Sequence, residues 1–429
     1  MGEWALPTLA VLLVGYAAVS LRLQSSHVSQ AMVFVLVGLL VGNHVLELVD
    51  ADAANQFVRH LAEATLTLML FTDAVRINLA GLRREAQLPV RLLGIGLPLT
   101  IVSGTVVALL VLPDLSVWTA AALATILAPT DAALGQPVVS NTRLPSRIRQ
   151  GLNVESGLND GICVPLLIIF LTIAEADEGV DDLNAVLVVV EEIGFGALAG
   201  VAAGLLGGWV LKTFLARGWM SEVWQQITGV ATPLLAYTVA VALGGSGFIA
   251  AFVAGIVFAA VGLRYAEPST SLAEQSGELL NALTFLLFGA VLVGPALVDL
   301  DWRILVYALL SLTVIRMLPV ALAAIGTGMR LVTVVFVGWF GPRGLASIVF
   351  VLLLVEGSDL AETPLLLTVV TATVALSVLA HGATAWPGAN RYADWYDAHH
   401  HDHASMPESK PVPVPRTRAH ATRGPRDEQ

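Results

Sequence analysis

The sequence predicts an all-α membrane protein that crosses the bilayer many times. Of its residues, 56% are hydrophobic and only 13% are charged, whereas an average soluble domain is about half apolar and about a quarter charged. Continuous apolar runs of about 20 residues, the length that spans a bilayer as a helix, recur from end to end. They lack the alternation of a membrane β-strand, and a soluble helical core does not need so many of them.

Thirteen apolar segments are long enough to be membrane-spanning helices. We number them spans 1 to 13, at about 5–21, 30–48, 58–76, 90–112, 116–139, 150–174, 184–212, 223–244, 246–263, 277–297, 302–327, 331–355 and 363–386. The first has no basic start and no clear cleavage site, so we expect a retained span rather than a signal peptide. The single cysteine, Cys163, excludes a disulfide within the chain and a cysteine metal cluster.

The loops between the spans separate by charge into two sets. With thirteen spans, one side carries Arg22, Arg76, Arg83, Arg84, Arg91, Arg143, Arg147, Arg149, Lys212, Arg217, Arg264, Arg330 and the basic tail. The opposite loops are acidic, with Arg59 and Arg303 as the only basic residues near them. The positive-inside rule then places the C-terminus in the cytoplasm and the N-terminus outside. We expect a multi-pass protein of the cell inner (plasma) membrane.

A change of composition separates the membrane part from a tail. We expect a transmembrane domain over residues 1–388 and a disordered cytoplasmic tail over 389–429, because the tail is rich in Pro, His and Arg and has almost no large apolar residues after Tyr396. The HHHDH run at 399–403 is interpreted as part of a solvated tail, with a weak metal site as the alternative.

Five ionisable residues lie deep inside the spans, where an isolated charge costs a few kcal/mol and therefore normally faces a partner or a water-filled cavity. They are Asp131 in span 5, Glu155 and Asp160 in span 6, Arg316 in span 11 and Arg343 in span 12. Five such groups at one level predict one shared site.

Two spans are predicted to be broken in the middle of the membrane. Span 5 contains LAPTDAALGQP (127–137) and span 12 contains GWFGPRG (338–344). Pro129, Gly341 and Pro342 predict the breaks, because proline removes a helix donor and glycine loosens the backbone. Two six-span repeats joined by span 7 would make spans 5 and 12 equivalent with opposite topology. Paired broken helices with charges at the break are typical of the substrate site of a secondary transporter.

The segment NVESGLNDG (153–161) adds polar groups on one side of span 6. Glu155 and Asn159 are four residues apart, as are Ser156 and Asp160, so each pair lies on one helix face. Carboxylate, hydroxyl and amide oxygens suit a hard cation. The segment therefore predicts a cation site.

The two carboxylates of this segment are expected to differ in role. Glu155 is expected to pair with a buried arginine, Arg316 or Arg343, because an unpaired buried charge is costly. Asp160 is then the carboxylate left to titrate. A proton and a cation would compete for Asp160, which couples their movements. The alternative is that Asp160 belongs to a fixed packing network.

APTDAA in one broken helix, followed by ESGLNDG in the next helix, resembles the CPA1 group of monovalent cation:proton antiporters, which includes the NhaP-like bacterial exchangers and the eukaryotic sodium/proton exchangers. GPRGLASIVF (341–350) is similar to the glycine–arginine–glycine signature of that group, and LAHGATAWPGANRYA (379–393) to the end of its membrane domain. The resemblance covers roughly residues 30–393, and ESGLND is its most specific part.

The resemblance implies a homodimer in which a six-helix core, about 90–175 and 302–388, moves against a scaffold and dimer part, about 1–80 and 180–297. It implies alternating access and exchange of Na⁺ for H⁺, with K⁺ (or Li⁺) as other cations of the same family. Asn159 stands where electrogenic relatives have a second aspartate, so the resemblance implies electroneutral exchange.

The resemblance also assigns roles to polar residues of spans 5, 6 and 11. It places the ion and proton site at Thr130, Asp131, Ser156, Asn159 and Asp160. Asp160 would be the shared carrier and the ligand of the monovalent cation, while Ser156 and the backbone around Thr130 would coordinate the ion and Asp131 would act nearby. Glu155 and Arg316 would form the structural ion pair.

Two further features of the sequence bear on the resemblance. NhaP-like members often carry an acid after the Leu-Phe pair of span 3, where this chain has Thr72 and only then Asp73. A one-residue shift turns a side chain by about 100°, so we expect Asp73 to miss the cavity. In span 7, Gly196, Gly200 and Gly204 form a face of small residues that predicts close helix packing, either within the chain or across a dimer.

Other function classes fit the sequence less well. No soluble nucleotide-binding domain is recognisable, which argues against ATP coupling within this chain. We also expect no enzyme activity, no cofactor and no nucleic-acid partner. A passive cation channel, or a sensor that keeps the fold without turnover, is the alternative to an antiporter. An intramembrane protease that uses Asp131 and Asp160 is disfavoured because paired protease signatures are missing around them.

Overall fold

The computed structural model describes residues 5–24, 26–42, 46, 51–76, 87–131, 133–177, 182–357, 360–399 and 406–409, and all regular structure in these ranges is helical. The helices of the first half are α1 (Ala5–Gln24), α2 (Gln30–Val41), α3 (Ala51–Arg76), α4 (Gln87–Arg91, a π turn Leu92–Gly96, and Leu97–Val111), α5 (Val117–Ile126), α6 (Gln136–Val139), α7 (Ser146–Asp177) and α8 (Asp182–Ala216). Those of the second half are α9 (Glu222–Ala242), α10 (Gly247–Gly262), α11 (Ser271–Leu287, a π turn Phe288–Val293, and Gly294–Val298), α12 (Trp302–Leu312), α13 (Val314–Ala324), α14 (Leu331–Trp339), α15 (Leu345–Gly357) and α16 (Thr363–Ala398). Short 3₁₀ turns are Leu263–Tyr265, Glu267–Ser269 and Pro407–Ser409.

Each predicted span coincides with one helix or with a consecutive pair of helices. The pairs are α5 with α6, α12 with α13, and α14 with α15. In the described part of the chain, seven helices are long and apolar enough to cross a membrane, and shorter apolar helices lie among them. The all-α polytopic fold is confirmed, while the number of thirteen crossings stays a prediction.

The helices form two packed groups. In one group, α3, α8, α9 and α10 pack together, and α11 packs against α2 and α3. In the other group, α5 packs between α4 and α7, while α16 packs against α12 and α15. Helix α3 touches both α7 and α15, so the border between the groups runs past the helix that carries ESGLNDG.

Close backbone contact holds α8 to α10. A Cβ placed on Gly196, Gly200 or Gly204 would lie 2.5 to 2.7 Å from a backbone oxygen at the start or in the body of α10. Such spacing leaves no room for a side chain, so the helices meet main chain to main chain. The glycine face of span 7 is therefore used for packing within the chain.

The last membrane helix is longer than the sequence predicts. α16 continues through Ala398, so the predicted start of a disordered tail at residue 389 falls inside a helix. The helix continues there because Tyr392 and Ala393 are buried against neighbouring helices. Residues 406–409 are also part of the described structure, whereas 400–405 and 410–429 lie outside the described residues.

Substitution of alanine in the glycine face should destabilise the protein. The Gly200→Ala methyl group would meet the Ala250 carbonyl oxygen at 2.5 Å, while nothing lies within 4 Å of a Cβ at Gly194 on the same helix. Overpacking costs about 1–3 kcal/mol, so Gly200→Ala should melt at a lower temperature than the wild type. Gly194→Ala should not, and equal melting temperatures for both variants in detergent would show that α8 and α10 are not in backbone contact.

Candidate functional site

The breaks in the two interrupted segments contact each other. The segment between α5 and α6 and the segment between α14 and α15 meet where the Asp131 N–H donates to the Pro342 carbonyl at 2.8 Å. Pro129 and Gly341 lie on either side of this contact, and a Cβ on Gly341 would lie 2.5 Å from Arg316 Nε. Both breaks predicted from Pro and Gly are therefore present, and they face one another.

Asp131 accepts hydrogen bonds from the backbone of both broken segments, which cross each other here. Asp131 Oδ1 accepts from the N–H groups of Ala133 at 2.7 Å and Leu134 at 3.3 Å, and Oδ2 accepts from the N–H of Leu345 at 3.1 Å. Leu345 is the first residue of α15, so the carboxylate also lies at the positive end of that helix. Gly344 permits this approach, because a Cβ there would collide with Asp131 Oδ2. Both carboxylate oxygens of Asp131 therefore accept hydrogen bonds from backbone N–H groups.

Arg343 supports the opposite helix end. Its guanidinium donates from Nη1 to the Ala128 carbonyl, and to the Pro129 carbonyl at 3.2 Å, and its side chain is fully buried. These carbonyls follow the C-terminal end of α5, where the helix dipole is negative. The first break therefore places an acidic side chain, Asp131, at the start of α15. The second break places a basic side chain, Arg343, at the end of α5.

A hydrogen-bonded chain from α16 fixes the second break. The Arg343 N–H donates to Ser377 Oγ at 2.7 Å, and Ser377 Oγ lies 3.1 Å from His381 Nδ1. His381 Nε2 donates to the Trp339 carbonyl at 3.0 Å, at the end of α14. Sequence reasoning missed this pair. The signal was a lone histidine inside an apolar span, four residues after a serine.

Glu155 and Arg316 form a buried ion pair. Arg316 Nη1 lies 2.5 Å from Glu155 Oε1, and the two side chains are 2% and 3% exposed. Of the two arginines that the sequence offered as partners, the structure brings Arg316 into contact and assigns Arg343 to the carbonyls after α5. A pair so far from water stabilises only while both members are present.

The remaining polar residues of spans 5 and 6 lie around Thr130. Ser156 Oγ donates to the Thr130 carbonyl, and Asn159 Nδ2 donates to Thr130 Oγ1 at 2.8 Å. Among the described residues, Asn159 Oδ1 and Asp160 Oδ1 are buried oxygens without a hydrogen-bond partner. Thr130, Ser156, Asn159 and Asp160 are therefore brought together, and two of their oxygens are available to a ligand.

Asp160 borders a small cavity, and Met69 and Asp73 line both this cavity and a larger one. The small cavity, about 10 Å³, is lined by Thr130, Asp131, Ser156, Asp160 and Asp73. This volume is close to that of one water-sized guest. A cavity of about 310 Å³ also reaches Asp73, and its lining residues lie at helix ends that the charge pattern predicts to be cytoplasmic, among them Arg76, Asn153 and Glu274.

The expectation that Asp73 misses the cavity is wrong. Asp73 lines both cavities, and Thr72 lines the larger one. One face of α3 contains Met69, Thr72, Asp73 and Arg76, which are spaced as the residues of an apolar helix stripe are. That face is wide enough to include both Thr72 and its neighbour Asp73. At the mouth of the larger cavity, Arg76 Nη2 lies 2.6 Å from Glu274 Oε2.

The arrangement provides a carboxylate that can hold either a proton or a small cation. Asp160 offers a charged oxygen, Asn159 and Thr130 offer neutral oxygens, and such oxygen ligands suit a hard monovalent ion. Asp73 adds a second carboxylate from α3, outside the group that contains α5 and α7.

The family described as "Sodium/hydrogen exchanger, transmembrane" matches residues 9–389. The Na(+)/H(+) antiporter of Schizosaccharomyces pombe is 26% identical over 347 residues, which cover 75% of this chain and 72% of that protein. The K(+)/H(+) antiporter NhaP of Alkalimonas amylolytica is 25% identical over 324 residues, and an uncharacterized Na(+)/H(+) exchanger of Mycobacterium tuberculosis is 28% identical over 310. The chain spans about half the length of these last two relatives.

A solved structure shares the fold. The sodium proton antiporter MjNhaP1 from Methanocaldococcus jannaschii superposes with a TM-score of 0.71, at 20% sequence identity, over 90% of this chain and 97% of that one. At this identity the likeness establishes the fold only.

Removal of one member of the buried ion pair should destabilise the protein strongly. Glu155→Ala and Arg316→Ala should each cost about 3–5 kcal/mol, because each leaves an uncompensated buried charge. The double variant Glu155→Leu/Arg316→Met should recover part of that loss. As a control, Arg143→Ala removes exposed ion pairs with Asp394 and Asp397, which water screens, so it should lower the melting temperature far less. Thermal unfolding in detergent measures these effects, and single variants as stable as Arg143→Ala would contradict the pairing.

Proposed function

The chain belongs to the sodium/hydrogen exchanger family of transmembrane proteins, and from that premise we propose that it exchanges a monovalent cation, in the first place Na⁺, for H⁺ across the membrane. Exchange is electroneutral and proceeds by alternating access. Asp160 is the site that cation and proton share in turn.

The partnerless carboxylate oxygen of Asp160 is the observation that carries this proposal. Of the five ionisable groups that the sequence places deep in the spans, four have partners: Asp131 and Arg343 hold helix ends, and Glu155 and Arg316 hold each other. Asp160 Oδ1 has no partner among the described residues. Glu155 Oε2 has none either, but Asp160 lines the small cavity and Glu155 does not. A carboxylate in that position binds a cation when ionised and a proton when the cation leaves.

The charges around Asp160 support one cation for one proton. Asp131 accepts hydrogen bonds from three backbone N–H groups, and Asn159 carries no charge. Asp73 belongs to α3, which packs with the other helix group, so it stays behind when the group around Asp160 moves. The moving group then carries the same net charge whether Asp160 holds a cation or a proton.

The division into two helix groups supports alternating access. The core, about 90–175 and 302–388, contains both broken helices, and the scaffold, about 1–80 and 180–297, contains α3 and the glycine-packed helices. The larger cavity opens on the side that the charge pattern predicts to be cytoplasmic, so this conformation faces inward. The protein acts as a homodimer in the plasma membrane, with its N-terminus outside and its C-terminus in the cytoplasm.

K⁺ is the second candidate for the exchanged cation. Two of the relatives are named as K(+)/H(+) antiporters, from Alkalimonas amylolytica and a Shewanella species. Cavity size and the number of oxygen ligands decide between these ions, and both are hard cations that the same oxygens can bind.

Removal of the Asp160 carboxylate should abolish exchange in a folded protein. Asp160→Asn keeps the size of the side chain and Asp160→Ala truncates it, and neither can hold a proton and a cation in turn. Proton release from acid-loaded everted vesicles, after addition of salt, should fall to the level of empty vesicles for both variants. Asp299→Asn makes the same chemical change at an exposed position and should exchange like the wild type. Normal exchange by Asp160→Asn would remove Asp160 as the carrier.

The same vesicles identify the cation and the stoichiometry. Sodium, lithium and potassium salts are added separately, with and without a potential clamp set by a different permeant ion. We expect a response to sodium that the clamp does not alter. A response to potassium alone would make the protein a K⁺/H⁺ antiporter, and current without a proton gradient would make it a channel. No response to any cation, from folded protein, would overturn the antiporter proposal.

A further inference from the structure

A short segment beyond the last membrane helix is bound to the surface of the core. Met406 is followed by a 3₁₀ turn, Pro407–Ser409, and Met406 and Glu408 are 3% and 1% exposed. Such burial is unusual for a glutamate in a proline- and histidine-rich region. The segment therefore occupies a formed site.

Three parts of the core build this site. Arg147 Nη1, at the start of α7, donates to the Pro407 carbonyl at 2.6 Å. Tyr396 OH, near the end of α16, donates to Ser409 Oγ at 2.8 Å. Pro407 also lies against Gly328, whose φ of +75° belongs to the turn between α13 and α14. The segment thus joins elements of both halves of the chain.

Glu408 supplies a cap that α14 lacks. Arg330 is the N-cap residue of α14 and makes no side-chain capping bond. Instead, its N–H donates to Glu408 Oε1 at 2.7 Å. A carboxylate at a helix N-terminus satisfies an otherwise unpaired donor and is favoured by the helix dipole.

The capped helix ends at the ion site. α14 runs from Leu331 to Trp339, and the Trp339 carbonyl accepts from His381 at the second break. Along its length, Phe336 stacks on Tyr392 with ring centroids 4.2 Å apart. The segment at 406–409 therefore holds one end of the half-helix whose other end forms the crossing.

We propose that the cytoplasmic face of the core carries a peptide-binding site for a short Pro-Glu segment, and that residues 406–409 of this chain are its occupant. The site recognises the Glu408 carboxylate by the N-terminus of α14 and the Pro407 carbonyl by Arg147. Release of the segment loosens α14 and, through it, the second break. This site is independent of the cation that the protein exchanges.

Hydrogen–deuterium exchange on two shortened proteins tests the site. A protein that ends at His399 lacks the segment, and one that ends at Lys410 keeps it and is the matched control. Loss of the cap should speed amide exchange in residues 326–336 by at least about fivefold. The control should match the full chain, and exchange in α8, which packs mainly against α10 and α9, should be unchanged in both. Equal exchange at 326–336 in all three proteins would overturn the proposal.

Point variants and an added peptide separate the site from a general loss of stability. In the full chain, Glu408→Ala should speed exchange at 326–336 as the truncation does. A labelled peptide of residues 403–411 should bind the protein that ends at His399 and restore slow exchange, whereas the same peptide with Glu408→Ala should not. Failure of the wild-type peptide to bind, or equal binding of the two peptides, would contradict recognition of Glu408. None of these readouts requires transport.

Discussion

The site depends on reciprocal capping between two broken helices. A helix end at membrane depth has no water to satisfy its backbone, so protein groups must do so. Asp131 from the first break caps the start of α15, and Arg343 from the second break caps the carbonyls after α5. These contacts fix the backbone at Thr130, to which Ser156 and Asn159 are then hydrogen bonded. Without the contacts between the two breaks, the oxygens of Thr130, Ser156 and Asn159 would not be held together beside Asp160.

Charge balance explains why one carboxylate is left over. Around the crossing, two acids and two bases are engaged in support: Asp131 and Arg343 on the backbone, and Glu155 with Arg316. In their ionised forms these four groups carry no net charge, so each buried charge has a compensating charge within the supporting structure. Under the proposed function, the charge at Asp160 is balanced by a proton and by a cation in turn.

The two helix groups use different kinds of contact. α8 and α10 meet backbone to backbone through glycines, which makes a contact that tolerates little movement. Where α3 faces α7, by contrast, Asp73 lies against Gly157, where a Cβ would be 3.0 Å away, and Asp73 and Asp160 both line the small cavity. The border between the groups therefore carries polar side chains beside a cavity, unlike the glycine contact of α8 with α10.

The sequence by itself determined the polytopic helical class, the two breaks and the set of buried polar residues, because apolar length, proline, glycine and spacing on one helix act locally. Tertiary structure decided which partners they meet. Arg316 rather than Arg343 pairs with Glu155, and Asp131 caps a residue 214 positions away. It also decided that Asp73 reaches the cavity and that residues 406–409 bind the core. Helical spacing fixes which side chains share a face, but the neighbour of that face depends on how distant helices pack.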